Sequence, residues 1–293
     1  MRGNHRVRRL LDALRDPEGR RVAKETFLLE RVWRRPIVFE DSRGLSFVLY
    51  PNENARVYLE HRGNYEVEET AFCERVVKPG AAVADVGANI GLYSVLFARL
   101  VGKDGAVHAF EPEANNARRL RVNLALNDAD NVVVNQCGVF SSSGTQTLNV
   151  YRPELGSWHT FGRPKLTDPL RGHAPAEPES AVEVETVALD DYAQARAIDR
   201  LDLVKIDVEG AELDVLQGAE RLLTAGRIDL ILFEVSLPQV EGMAHRPEDV
   251  FELLGRHGYR SFALPDLVEV SSTNLRYGNY VATRDPERLA AAR

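Results

Sequence analysis

From Ala82 onward the chain repeats one pattern: a short apolar run, a turn, then a longer stretch whose apolar residues recur at helical spacing. Ala82–Val86 precedes a helix-like segment over residues 91–100, and Ala106–Phe110 precedes another over 115–126. Residues 201–207 lead into a helix expected over 211–223, and residues 229–235 into one over 247–257. Strands separated by helices cross over the sheet and lie parallel. The pattern therefore predicts a doubly wound α/β domain, which binds ligands in the crevice beyond the carboxyl ends of its strands. Residues 132–136 and 147–150 read as further strands and 182–189 as an extended stretch. Residues 259–264 and 280–283 have little helix between them, which predicts an antiparallel hairpin at one sheet edge.

Ahead of this pattern, Val7, Leu10, Leu11 and Leu14 fall on one helical face. Residues 37–39 and 46–49 read as a hairpin, and residues 65–77 as a helix closed by Pro79 and Gly80. The expected organisation is an accessory helix and hairpin over 1–64 and a main domain over 65–293. A variable loop or lid over 151–180 carries five prolines, three glycines and two histidines.

The first strand runs into Val83-Ala-Asp-Val-Gly-Ala-Asn-Ile-Gly-Leu-Tyr93. Gly87 and Gly91 let the backbone turn tightly and approach a ligand. The second strand ends in Phe110-Glu111-Pro112, with Glu111 about 20 residues beyond Gly91, a spacing suited to a carboxylate that accepts from ribose hydroxyls. Together these predict an adenosine-bearing cofactor. A dinucleotide fingerprint requires glycine where this chain has Asn89, and Asp85 would repel a pyrophosphate. S-adenosylmethionine carries no phosphate and has cationic sulfonium and amino groups, so the charges favour it.

These segments resemble the FkbM family of S-adenosylmethionine-dependent methyltransferases. The resemblance rests on Ala84-Asp-Val-Gly-Ala-Asn-Ile-Gly91, Ala109-Phe-Glu-Pro112 and, most specifically, Lys205-Ile-Asp-Val-Glu-Gly-Ala-Glu212. Asn123, Asn127, the Thr-Val-Ala-Leu-Asp run over 186–190 and Phe233-Glu-Val235 support it. It implies a class I methyltransferase fold, with a seven-stranded sheet whose last strand is antiparallel, and O-methylation of hydroxyls on sugars or natural products. It assigns Asp85, Gly87, Asn89 and Gly91 to the methionine end of the cofactor and Glu111, with Pro112, to its ribose. Glu66 is a further candidate for the same pocket, and Cys137 and Gly138 are candidates for the adenine. Gly138-Val-Phe-Ser141 lacks the acidic residue usual in the family at this point.

For the reacting centre the candidates are Asp207 and Glu234, at the ends of adjacent strands, and His159 in the irregular segment. Residues two apart share a strand face, so Lys205 and Asp207 point the same way. Asp207 and Glu234 could take the hydroxyl proton, bind substrate hydroxyls or hold a Mg²⁺. Lys205 reads as a buried partner that neutralises one of them. His173 is a lesser candidate base, and Trp158 is suited to stack on a sugar face.

Formal charge is −7 overall, but residues 1–35 carry +6 and the rest −13, which argues against broad binding to duplex DNA or anionic membranes. No signal-peptide or membrane-spanning pattern is visible, and Cys73 and Cys137 have no metal-ligand spacing. These features lead to the expectation of a cytoplasmic enzyme with a hydroxylated small-molecule acceptor, a homodimer being the one protein assembly considered. A nucleotide-dependent oxidoreductase and a non-catalytic cofactor-binding module are the competing readings.

Overall fold

The computed structural model describes residues 36–50, 55, 59, 63–151, 159–162, 167–168, 174–175, 177–235, 245–273, 275 and 278–292. The helix expected around residues 7–14, Trp158, His173 and most of the loop over 151–180 lie outside the described residues.

In chain order the elements begin with β1 (Ile37–Glu40), β2 (Ser46–Leu49), α1 (Val67–Val76), β3 (Ala82–Val86), α2 (Leu92–Val101), β4 (Ala106–Phe110) and α3 (Ala114–Leu126). Next come β5 (Val132–Asn135), β6 (Gly138–Val139), β7 (Gly144–Val150), β8 (Thr167–Asp168), β9 (Ala174–Pro175), β10 (Ser180–Val187) and α4 (Leu189–Ala195). Then follow β11 (Leu201–Ile206), α5 (Glu212–Gln217), α6 (Glu220–Thr224), β12 (Ile228–Val235) and α7 (Pro247–Arg256). The chain closes with β13 (Arg260–Ala263), β14 (Val268–Val270), β15 (Gly278–Thr283) and a 3₁₀ turn over Pro286–Ala292.

The main sheet has the order β14-β13-β15-β12-β11-β3-β4-β5. Strands β12, β11, β3, β4 and β5 pair in parallel. Strand β15 is antiparallel to both its neighbours, β12 and β13. The two closing strands do pair antiparallel, but β15 is inserted inside the sheet instead of forming an edge hairpin. The edge belongs to β14, an eighth strand beyond the expected seven. Its three residues are too short to carry a periodic signal.

Side chains alternate between two cores. Val83, Val107, Leu203 and Leu230 face the side covered by α1, α2 and α3, whereas Ala84, Val204 and Ile231 face α4 to α7. The single helix expected over 211–223 is two, α5 and α6. At the break a Cβ on Gly218 would collide with the Phe140 carbonyl oxygen, and the Gly218 carbonyl accepts from Asp190 N–H.

The hairpin β1–β2 is held by two asparagines one turn apart, Asn123 on α3 and Asn127 at its C-cap. Asn123 Oδ1 accepts from Val48 N–H (2.8 Å) while its Nδ2 donates to the Ile90 carbonyl (2.8 Å). Asn127 Oδ1 accepts from Ser46 N–H (2.9 Å), and its Nδ2 donates to the Ser46 carbonyl (2.7 Å). A helix thus supplies the polar edge that a neighbouring strand would otherwise offer. Because Ile90 lies in the turn after β3, fully buried Asn123 ties the hairpin to the crevice. Asn123→Ala strands a backbone donor and an acceptor, at a cost of about 2–3 kcal/mol. Chemical denaturation should show that loss, and a loss near zero would mean the hairpin is held elsewhere.

Candidate active site

Strand order reverses between β3 and β11, so the crevice opens where these two strands end. The Asp207 N–H donates to the Val86 carbonyl (3.0 Å), and the Gly87 and Ala88 N–H groups both donate to the Phe110 carbonyl (3.1 and 2.9 Å). Gly87 (φ 82°) and Gly91 (φ 91°) have the left-handed backbone expected of them. Their missing side chains make room for protein, not ligand. A Cβ on Gly87 would collide with the Asp207 carbonyl oxygen, and one on Gly91 with the Leu120 side chain. Glu66, Asn89 and Glu209 also have positive φ, at 41°, 50° and 54°. Such non-glycine strain tends to gather at functional sites.

A pocket in this crevice brings together seven of the residues singled out from sequence: Gly87, Asn89, Glu111, Pro112, Gly138, His159 and Asp207. It also takes in Phe110, Asn116, Val139, Leu148 and Phe161, which sequence reasoning missed. Asn116 had a local signal, one turn after Glu113, whose carboxylate caps α3 by accepting from Asn116 N–H (2.8 Å). Phe161 and Leu148 had none.

Glu111 is the buried acid of the pocket. Its Oε2 accepts from Asn89 N–H and its Oε1 from Glu113 N–H, both at 2.8 Å. Burial raises its pKa to about 8 against the pull of those two bonds. The Asn116 side chain gives it a third hydrogen bond, and a carboxylate has about four acceptor sites, so some capacity remains. A carboxylate with spare acceptors beside an apolar wall of Phe110, Val139, Leu148 and Phe161 fits a nucleoside, sugar hydroxyls on the acid and base on the wall.

Glu66, Asp85, Gly91, Cys137 and Glu234 do not line this pocket. Half-buried Cys137 packs in the core on the α4–α7 side, and burial raises its thiol to about 11. Glu234 pairs in register with Asn279 of β15, and its charge acts on Tyr65. Glu66 and Asp85 join a buried polar cluster centred on Lys205. The Lys205 ammonium contacts Asp207 Oδ2 at 2.9 Å and sits 4.4 Å from the centre of the Tyr93 ring. The Tyr93 hydroxyl donates to Glu66 Oε2 (2.6 Å), and Ser94 Oγ donates to Asp85 Oδ2 (2.5 Å). Asp85 Oδ1 is buried with no hydrogen-bond partner among the described residues. Burial works to lower the Lys205 pKa, but Asp207, Asp85 and Glu66 outweigh it and hold the pKa above its ordinary value. Burial, and then repulsion from Asp207, raises Glu66; burial raises Asp85 against the attraction of Lys205.

His159 accepts a hydrogen bond at Nδ1 from Tyr151 N–H (3.1 Å), and burial lowers its pKa. Among the described residues, no group of three or more His, Cys, Asp or Glu is placed to hold a metal ion. Where the sequence suggested a Mg²⁺ between Asp207 and Glu234, Asp207 has an ammonium as its partner.

The sheet order, with its inserted antiparallel strand, and the crevice at the β3–β11 reversal define a class I methyltransferase fold. The chain matches the methyltransferase FkbM domain over residues 85–261 and belongs to that family. It is 37% identical over 157 residues to methyltransferase sdnD of Sordaria araneosa, covering 47% of this chain and 60% of that protein. It is 34% identical over 207 residues to the 31-O-demethyl-FK506 methyltransferase FkbM of Streptomyces tacrolimicus, covering 65% of this chain and 76% of that protein. The chain thus spans less than two thirds of the first relative's length and about three quarters of the second's. The crystal structure of an O-methyltransferase from Bacillus cereus in complex with SAH is similar at 15% identity and a TM-score of 0.42, over 75% of this chain and 81% of that one.

Removing the central cation isolates buried carboxylates. Lys205→Met should destabilise the protein by about 3 kcal/mol at pH 8. Without the ammonium the folded-state pKa values of Asp85 and Glu66 rise further above their unfolded values, so the variant gains stability as pH falls and loses it as pH rises. Denaturant titrations at pH 5.5 and 8 would show this, and an equal loss at both pH values would contradict the clustered charges.

Proposed function

We propose that this chain is an S-adenosylmethionine-dependent O-methyltransferase acting on a hydroxyl of a sugar or natural-product acceptor. The observation that carries the reading is the pocket itself, which runs from Glu111 at the end of β4 to Asp207 at the end of β11. Glu111 would accept from the ribose hydroxyls, and Gly87 and Asn89 would border the methionine end with Asp85 behind them. When bound, the cofactor supplies an electrophilic methyl group on a cationic sulfur.

Asp207 is the proposed general base. Lys205 engages its Oδ2, which fixes the carboxylate and leaves Oδ1 to take the acceptor's hydroxyl proton. A strong base is not needed. A hydroxyl oxygen that has begun to bond to carbon becomes steeply more acidic, so a nearby weak base suffices late in the step. Glu234, outside the pocket lining, is not assigned the proton. The 31-O-demethyl-FK506 methyltransferase name supports an oxygen acceptor on a natural product. The oxidoreductase reading is disfavoured by Asn89 at the pocket lip, in place of the glycine a pyrophosphate requires.

Two measurements test this. With Glu111 near pKa 8 in the free protein, bound ribose hydroxyls would favour its ionised form and lower that pKa. Affinity for S-adenosylhomocysteine should therefore rise from pH 6 to 8, by up to about tenfold per unit, and then level off. In Glu111→Gln the affinity should be lower and the slope gone; a flat wild-type profile would count against Glu111 as the ribose acceptor. Asp207→Asn should cut transfer from labelled donor by about 10²–10⁴-fold while leaving S-adenosylhomocysteine affinity within about threefold. Unchanged turnover would clear Asp207 of proton transfer.

A further inference from the structure

The insert between β7 and β10 contributes a short strap, residues 159–162, to the pocket wall. The strap is tied to two parts of the fold. Thr160 and Asn149 exchange backbone hydrogen bonds at 2.9 and 3.2 Å, and Asn149 Nδ2 donates to the Gly162 carbonyl (2.6 Å). Buried Thr160 donates through Oγ1 to the Glu209 carbonyl (2.7 Å) and accepts there from Gly162 N–H (3.0 Å). Phe161 lies directly against Gly138, where an added Cβ would be 2.6 Å from the Phe161 ring, and meets Phe140 edge-on with ring centres 5.4 Å apart.

On this fixed strap the chemistry of His159 is set by its neighbour. Tyr151 N–H uses the Nδ1 lone pair, so the neutral ring carries its hydrogen at Nε2. Burial keeps the ring neutral, and the charge that acts on it is that of Glu113, two residues beyond Glu111. A general base must offer the acceptor a lone pair; this imidazole offers a hydrogen. Adenine ring nitrogens are acceptors, so they match that hydrogen.

We propose that residues 159–162 recognise the nucleobase of the cofactor, with Phe161 beside Gly138 forming the wall for the ring and His159 donating through Nε2–H to a ring nitrogen. The inference rests on the S-adenosylmethionine reading above and reassigns His159 from proton transfer to base recognition. It also makes this part of the insert a cofactor element, with acceptor choice left to other parts of the crevice.

Calorimetry on the full chain tests it without any acceptor. S-adenosylhomocysteine and its 1-deaza, 3-deaza and 7-deaza analogues are titrated into the wild-type protein, His159→Phe and His159→Gln, with thermal unfolding as the check on folding. The wild type should bind at least one deaza analogue about tenfold more weakly than the parent, the effect of one lost hydrogen bond. His159→Phe should bind the parent about tenfold more weakly and no longer distinguish that analogue. His159→Gln, whose amide nitrogen can stand in for Nε2, should recover part of the affinity. Parent affinity unchanged in His159→Phe, or an analogue penalty that persists there, overturns the proposal. If His159→Phe does not fold, the wild-type analogue series and His159→Gln decide, and equal binding of all four ligands by the wild type overturns it. A wild-type protein that binds none of the four fails at the cofactor reading itself, a result distinct from binding without discrimination.

Discussion

One buried ammonium contacts Asp207 and feels the charges of Asp85 and Glu66 at the carboxyl edge of the sheet, and much of the site depends on it. Asp85 comes from β3, Asp207 from the end of β11, Glu66 from the turn before α1, and the Tyr93 ring under the cation from α2. Four segments of the chain thus share one charge. Parallel pairing sets Lys205 opposite Asp85 in register, and Gly87 allows β3 and the Asp207 backbone to come close enough for the group to form. A charge taken out of water needs partners of good geometry, and a missing one is costly. The same contact therefore holds the edge together and fixes the orientation of the proposed base.

The parts of this arrangement legible in the sequence were those encoded by local spacing. Strand–helix alternation specified a parallel sheet, and the distance from Gly91 to Glu111 located the buried acid. Period two along β11 put Lys205 with Asp207, and the ion pair between them matches the neutralising role read for Lys205. What could not be read depends on contacts across long stretches of chain. Phe161 enters the pocket because Thr160 reaches back to Asn149 and forward to Glu209, and no local pattern announces either bond. Asn123 and Asn127 were visible as family-like positions, but their work as a substitute strand edge follows from where the hairpin docks.

The glycines make the distinction sharper. Gly87 lines the crevice and Gly91 caps α2 just beyond it, and both have the positive φ that permits the turn. Space for a ligand was the wrong reason, since their Cβ directions face the Asp207 carbonyl and Leu120. Sequence reports that a backbone position is unusual; which atom would have collided is a property of the folded neighbours. The break at Gly218 follows the same logic. A helical pattern runs through it, yet the Phe140 carbonyl occupies the space where a side chain would sit.

The charge balance of the site bears on how such a reaction would turn over. Burial raises Glu66, Asp85 and Glu111 together, so ionising all three in this crevice calls for more positive charge than Lys205 supplies. Lys205 answers only part of that demand, and Asp85 Oδ1 has no partner among the described residues. S-adenosylmethionine brings a cationic sulfur and an ammonium to such a site. Once the methyl group has left, the sulfur is neutral and one of those attractions is gone. In a site of low effective dielectric, a unit charge lost near several carboxylates weakens binding far more than it would in water. The surplus of buried acid would therefore favour the donor over its demethylated product, which helps the site exchange one for the other after each transfer.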